Sequence, residues 1–200
     1  MTVRAQRTPL DGAEPPARTD RPPWLGAVAV LVAALGLGAG AAAAVLVLGG
    51  AEPSPRPLEL AAGVPREASP TALRLFARTS GHAVYWAGSI PNRGLELTQT
   101  TSGTFVRYLP DIARVGDRGR FSTVATYLRP NAYVFAQESA AQPGAVSSPA
   151  PQAGIAVWRR TRPTSVYLAY PGVPALVEVY DPDAGQARRL ALSGLVRPVR

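Results

Sequence analysis

Residues 95–109 read LELTQTTSGTFVRYL. Leu95 and Leu97 alternate with Glu96 and Thr98, the two-residue period of a strand with one face toward a core and one toward water. Thr101, Ser102 and Gly103 interrupt that period with small and polar residues suited to a reversal, after which TFVRYL resumes it. The pattern predicts an antiparallel hairpin, with Leu95 and Leu97 inward and Glu96 and Thr98 outward. Upstream, HAVYWAG (82–88) is rich in β-favouring residues and meets the hairpin through the turn Pro91-Asn92-Arg93-Gly94, so three strands read as a meander.

The same grammar extends downstream. An arginine-rich loop leads to a fourth strand, FSTVATYL (121–128), and GIAVWRR, TSVYLAY and ALVEVYD supply three more between 154 and 181. Helix signals punctuate these strands. Ser69 is placed to cap a helix that starts with Pro70, carries Leu73 and Phe76 on one face and stops at Gly81. Pro130-Asn131-Ala132 opens a second helix. Asp181-Pro182-Asp183 reads as a cap followed by Pro at the first position of a third, with Ala184, Ala187 and Ala191 on its inner face and Gly194 at its end. Residues 139–154 are Ala, Pro, Ser and Gln without period, and read as an exposed, flexible connector. The expected fold is α+β: an antiparallel sheet of about six or seven strands with about three helices on one face. Val84-Tyr85-Trp86 is similar to Ala156-Val157-Trp158, and residues 127–132 to residues 180–184. Two similar halves would explain this, as would strands drawing on the same aromatic and branched residues for packing.

The N-terminal third has a different character. Residues 24–48, WLGAVAVLVAALGLGAGAAAAVLVL, are uncharged. As a helix they would reach roughly 37 Å at about 1.5 Å per residue, enough to span a bilayer with tilt. A cleavable signal peptide has a shorter apolar region, of about 7–15 residues, so retention as a transmembrane helix over 23–49 is expected. Trp24 suits the membrane interface. Arg4, Arg7, Arg18 and Arg21 precede the run while Arg56 and Arg66 follow it, which predicts a cytoplasmic N-terminus and a C-terminal domain outside the plasma membrane. Residues 1–22 read as a disordered tail, 50–68 as a Pro-rich stalk and 69–200 as the extracytoplasmic domain. Gly36, Gly40 and Ala44 form a small-residue series that would let two helices approach in a homodimer, a spacing that also arises by chance in so Gly- and Ala-rich a segment.

Composition narrows the chemistry. There is no cysteine, which removes disulfides, thiol catalysis and cysteine-bound zinc. Every basic side chain is arginine, and the formal charge is +8. That charge implies attraction to anionic lipid heads or wall polymers. The segments VYWAG, VRYLP, VATYLRPNA, TSVYLAYPG and VEVYDP, with the apolar run and the stalk, resemble a group of single-pass membrane proteins of actinobacteria to which no activity is assigned. The resemblance implies an envelope location and carries no functional residue.

Catalytic signatures are absent. His82 is the sole histidine, so neither a histidine cluster nor an HExxH helix exists, and its expected role is structural or solvated. Glu96 and Glu178 would form a glycosidic acid–base pair only if the fold set them about 5–10 Å apart, and strand alternation explains them as outward polar residues. Asp181 and Asp183 suit a helix start. No serine lies in a GxSxG elbow and no glycine-rich loop has phosphate-binding context. The arginines remain. Arg114, Arg118 and Arg120 surround one loop, and Arg159, Arg160 and Arg162 cluster in a strand and its turn, each able to hold a phosphate or carboxylate through paired hydrogen bonds. A solvated surface explains the same residues without a ligand. The reading is a non-enzymatic envelope protein that binds the bilayer through its helix, and an envelope protein or anionic envelope component through its domain. It implies no cofactor and no nucleic acid; an envelope hydrolase or an accessory subunit of a membrane complex is the alternative.

Overall fold

The computed structural model describes residues 60–200. The apolar run, its small-residue series Gly36, Gly40 and Ala44, the N-terminal tail and most of the stalk lie outside the described residues. Among the described residues no helix is long and apolar enough to cross a membrane. Ten strands and three helices follow in chain order. They are β1 (Arg66–Ala68), α1 (Pro70–Thr79), β2 (Tyr85–Trp86), β3 (Arg93–Gln99), β4 (Thr104–Pro110) and β5 (Thr123–Leu128). Then come α2 (Ala132–Ala140), β6 (Ala145–Ala150), β7 (Gly154–Arg159), β8 (Arg162–Ala169), β9 (Ala175–Tyr180), α3 (Ala184–Leu192) and β10 (Arg197–Pro198).

The hairpin forms as its pattern dictates. β3 and β4 pair antiparallel with Leu97 opposite Val106 and Glu96 opposite Arg107. The reversal is closed by the Thr100 amide donating to the Gly103 carbonyl at 2.9 Å. Gly103 is required by close approach, because a Cβ there would lie 2.5 Å from the Thr126 carbonyl oxygen of β5. The sheet has eight strands, all antiparallel, in the order β1-β3-β4-β5-β9-β8-β7-β6. The two strands beyond the expectation are its edges. β1 comes from the end of the expected stalk, and β6 from the stretch read as a connector, whose Ser139 is also buried within α2. An edge strand pairs on one side only and tolerates Pro149, so its sequence lacks the apolar alternation of an inner strand.

β2 departs from the expected meander. It pairs with β10 rather than β3, Tyr85 opposite Pro198 and Trp86 opposite Arg197. Side chains standing up from the sheet meet the amides at and just after β2: Tyr85 N donates to Thr126 Oγ1 at 2.9 Å and Ala87 N to the Tyr108 hydroxyl at 2.6 Å. Val84, Tyr85 and Trp86 are all buried, and the Tyr85 ring stacks on Tyr170 at 5.7 Å.

The helices cover both faces, a correction to the expectation of one. α1 begins as predicted, with Ser69 Oγ accepting from Ala72 N and Pro70 in the first turn, and it buries Leu73 and Phe76. α3 packs on β8 and β9 through Ala187, Leu190 and Ala191. Together with Leu97, Val106, Val124, Leu168 and Val177 these residues form the larger core. α2 packs on β7 and β8 through Ala132 and Ala136 over Val157, Ala169 and Leu176. Leu168 and Ala169, or Leu176 and Val177, are consecutive and point to opposite faces, so the two cores lie on opposite sides of one sheet. Glu96 and Thr98, expected outward, are also buried, Glu96 beneath the chain that joins β4 to β5 rather than beneath α2. The third helix also starts two residues later than expected: Asp183 rather than Asp181 is its cap, accepting from Gln186 N at 2.7 Å, and Ala184 is its first residue. Strand order divides four and four at the β5–β9 seam. Yet α2 follows β5 onto one face and α3 follows β9 onto the other, and β2 lies outside the sheet whereas β7 lies within it, so the halves match in strand order and not in helix placement.

Candidate functional site

The feature with the most built structure outside the cores is the loop 111–122 joining β4 to β5. Its foundation is a cross-strand pair. Glu96 on β3 and Arg107 on β4 face each other in register and form a salt bridge, the only one among the described residues, in which the Glu96 side chain is fully buried and that of Arg107 is 20% exposed. A buried carboxylate is costly unless its oxygens are met. Here one oxygen takes the guanidinium and the other accepts from Gly116 N at 2.7 Å, inside the loop. Arg107 spends its remaining donors on the carbonyls of Asp117 at 2.8 Å and Gly119 at 3.0 Å, with its guanidinium 5.0 Å from the Phe121 ring centre. Asp117 closes a tight turn by accepting from Arg114 N at 2.8 Å, and Gly116 takes φ +86°, which glycine permits without strain. The loop is thereby clamped to the sheet from below.

The clamp holds up Arg114, Arg118 and Arg120, all exposed. Arg120 donates to the Tyr180 hydroxyl at 2.8 Å and its guanidinium lies 6.0 Å from that ring. The loop also presents two apolar side chains to water, Ile112 before Arg114 at 93% and Val115 after it at 38% exposure. The second arginine group is brought to the same end of the sheet by topology. Thr123, Tyr180 and Ser165 are neighbours across β5, β9 and β8, so the β7–β8 turn lies at the same end as the β4–β5 loop. Arg160 is exposed there; Arg159 is tied to the Pro143 carbonyl at 2.7 Å; Arg162 is half-buried beside Tyr127 and Tyr167. The six arginines found in the sequence thus belong to one end of the sheet, although Arg159 and Arg120 already have protein partners.

The carboxylates do not assemble a catalytic pair. Glu178 is buried on β9 and accepts from the Tyr127 hydroxyl at 2.8 Å. Burial, reinforced by the Glu178 charge, pushes the Tyr127 and Tyr167 hydroxyls well above the ordinary tyrosine range, so both stay protonated donors. β3 and β9 are three strand spacings apart, which separates the backbones that carry Glu96 and Glu178 by about 14 Å or more. Each carboxylate is already engaged, Glu96 by Arg107 and Gly116 N and Glu178 by the Tyr127 hydroxyl. His82 hydrogen-bonds Ser80 O at 2.8 Å and Thr104 Oγ1 at 3.3 Å. Thr104 starts β4, at the opposite end of the sheet from the arginines, where His82 pins the α1–β2 turn to the hairpin.

A shallow cleft of about 340 Å³ opens between the start of α3 and the strands, lined by Arg93, Ser122, Asp181, Asp183 and Arg189 among others. Ser122 Oγ donates to Asp181 Oδ2, while Asp181 Oδ1 accepts from Asp183 N at 2.8 Å. With His82 at the far end of β4, the serine has no imidazole to take its proton, and the pair fastens the β4–β5 loop to the β9–α3 turn. Amide donation from Gln186, at the start of α3, holds the Asp183 carboxyl below its ordinary range. Among the described residues no three His, Asp or Glu side chains converge as a metal site.

Sequence reading found the arginines and missed what positions them. Strand alternation alone reads Glu96 as solvated and gives Ile112 and Arg107 no distinction. The signal was present: a turn at 101–103 sets the register that places Glu96 opposite Arg107, and a buried pair of opposite charge on one face calls for further donors. Comparison of the chain with protein-family models, curated proteins and solved structures gives no match.

Proposed function

We propose that the chain is a membrane-anchored extracytoplasmic binding module, without enzymatic activity, that holds an anionic component of the cell envelope at the arginine-bearing end of its sheet. The observation that carries this reading is the buried Glu96–Arg107 clamp, which fixes a loop bearing three exposed arginines beside a second arginine turn. A loop whose backbone is already ordered loses less freedom when its guanidiniums take a phosphate or carboxylate than a mobile loop would. The burial of Glu96 and Glu178 and their engagement by protein partners support a binding role over hydrolysis. The uncharged run 24–48 and the arginines before it support the anchor and its orientation.

The test is titration of the full-length chain, in neutral detergent, with inorganic polyphosphate at several salt concentrations. Arg114→Gln/Arg118→Gln/Arg120→Gln is expected to weaken binding about tenfold or more and to flatten its salt dependence, since each lost contact removes a charge-assisted bond. Equal binding by the native and triple-variant proteins would remove the site from this loop.

A further inference from the structure

The loop carries a feature that attraction to a soluble polyanion does not use. Ile112 is 93% exposed, with Val115 at 38%, in a loop held in place by the buried Glu96–Arg107 pair. A branched apolar side chain presented on a fixed loop that also carries guanidiniums matches the layered chemistry of a bilayer surface: hydrocarbon beneath, phosphates above. A hydrated wall polymer offers the arginines a partner and Ile112 none.

We propose that the β4–β5 loop docks on the anionic leaflet of a lipid bilayer, with Ile112 entering the boundary between headgroups and acyl chains while Arg114, Arg118 and Arg120 bind lipid phosphates. This rests on the anion-binding reading above and names its ligand. The local charge favours it. Asp117 is turned into the loop, its carboxylate accepting from Arg114 N, and Asp111 is the other acidic side chain of the loop. The three arginines outnumber these two, and the turn Arg159-Arg160-Thr161-Arg162 at the same end adds positive charge; of the acids in the β9–α3 turn at this end, Asp181 is buried on Ser122 and Asp183 caps α3 near Arg188 and Arg189. One isoleucine and a few arginines bind a membrane weakly by themselves. Tethering of the chain to that membrane supplies the high local concentration that makes such a contact persistent. The geometry permits it: residue 60 enters near Gln99, at the other end of the sheet, where Gly63 N donates to Gln99 O. Strands this long separate the ends by about 20 Å, and a chain the length of residues 49–59 reaches about 35 Å when extended.

The absence of cysteine permits a site-specific test. Full-length Ile112→Cys, labelled with an environment-sensitive fluorophore, is reconstituted into vesicles of phosphatidylcholine alone or of equal parts phosphatidylcholine and phosphatidylglycerol. The matching control carries the label at exposed Thr101→Cys, in the β3–β4 turn at the opposite end. The expected result is a blue shift at position 112, with quenching by spin-labelled lipid, only in the anionic vesicles. High salt and the triple arginine substitution should abolish it, and position 101 should stay water-like throughout. A label at 112 that stays water-like in both vesicles, or shifts equally in both, overturns bilayer docking. If polyphosphate binding by the full-length protein still depends on the three arginines, the anion-binding reading survives that result. If that dependence is absent too, both readings fall.

Discussion

Glu96 shows how a residue that looks incidental in a strand comes to govern a surface. Its two oxygens are divided between Arg107 on the neighbouring strand and the Gly116 amide in the loop, and Arg107 completes the clamp on two loop carbonyls. Replacing it by Gln keeps the shape and removes the charge, leaving Arg107 short of a counter-charge in a half-buried place. Glu96→Gln is expected to lower stability by about 1–3 kcal/mol, the cost of an imperfectly met buried polar group, and to raise amide exchange at Gly116 and Arg118 above that of the β5–β9 seam. Denaturant titration and hydrogen exchange read the two effects. A loop that exchanges as slowly in the variant as in the native chain would show that the clamp does not order it. Alternation alone read Glu96 as solvated, because period two reports which face a side chain is on and not what covers that face.

At the scale of elements, the strongest local signals gave the right structure. Ser69 with Pro70, the β3–β4 turn and the apolar alternation of β5, β8 and β9 all act within a few residues, and each element forms where that chemistry placed it. Gly103 adds a constraint that no local rule supplies. Its missing Cβ makes room for the Thr126 carbonyl of a strand some twenty residues later, so Gly103→Ala should force the hairpin from β5 and cost about 1–3 kcal/mol, the usual price of overpacking. Gly94→Ala is the comparison, since a Cβ at Gly94 meets Leu109 O only at 4.0 Å, and it should shift the melting temperature little. Equal melting temperatures for the two variants would show that β5 yields without strain. β2 and β6 depart from the local pattern for the converse reason. A two-residue strand pairing with the C-terminal end of the chain, and an edge strand with small polar residues, carry too little pattern of their own for a local rule to place.

For the whole molecule, the decisive fact is one sheet with a core on each side. The larger core gathers Leu73, Phe76, Leu97, Leu168 and Leu190 from both ends of the described chain, and the smaller one seats α2 on Val157, Ala169 and Leu176. Leu168 has no exposure, so Leu168→Ala should cost about 2–5 kcal/mol and lower a single cooperative transition. Leu128→Ala, at a position 58% exposed, should change stability by less than about 0.5 kcal/mol. Similar losses from both would mean that Leu168 is not a keystone of the core. What the sequence alone determined is whatever depends on neighbours in the chain: the α+β class, the antiparallel reversals, the helix start at Ser69, and the apolar run that sets 24–48 apart. What only the tertiary structure decided is whatever depends on partners far along the chain. That includes the β5–β9 seam, the second covered face, the distance between Glu96 and Glu178, and the gathering of two arginine groups at one end of the sheet. Periodicity records the direction of a side chain from its own backbone, whereas its surroundings are contributed by segments whose arrival no local period encodes.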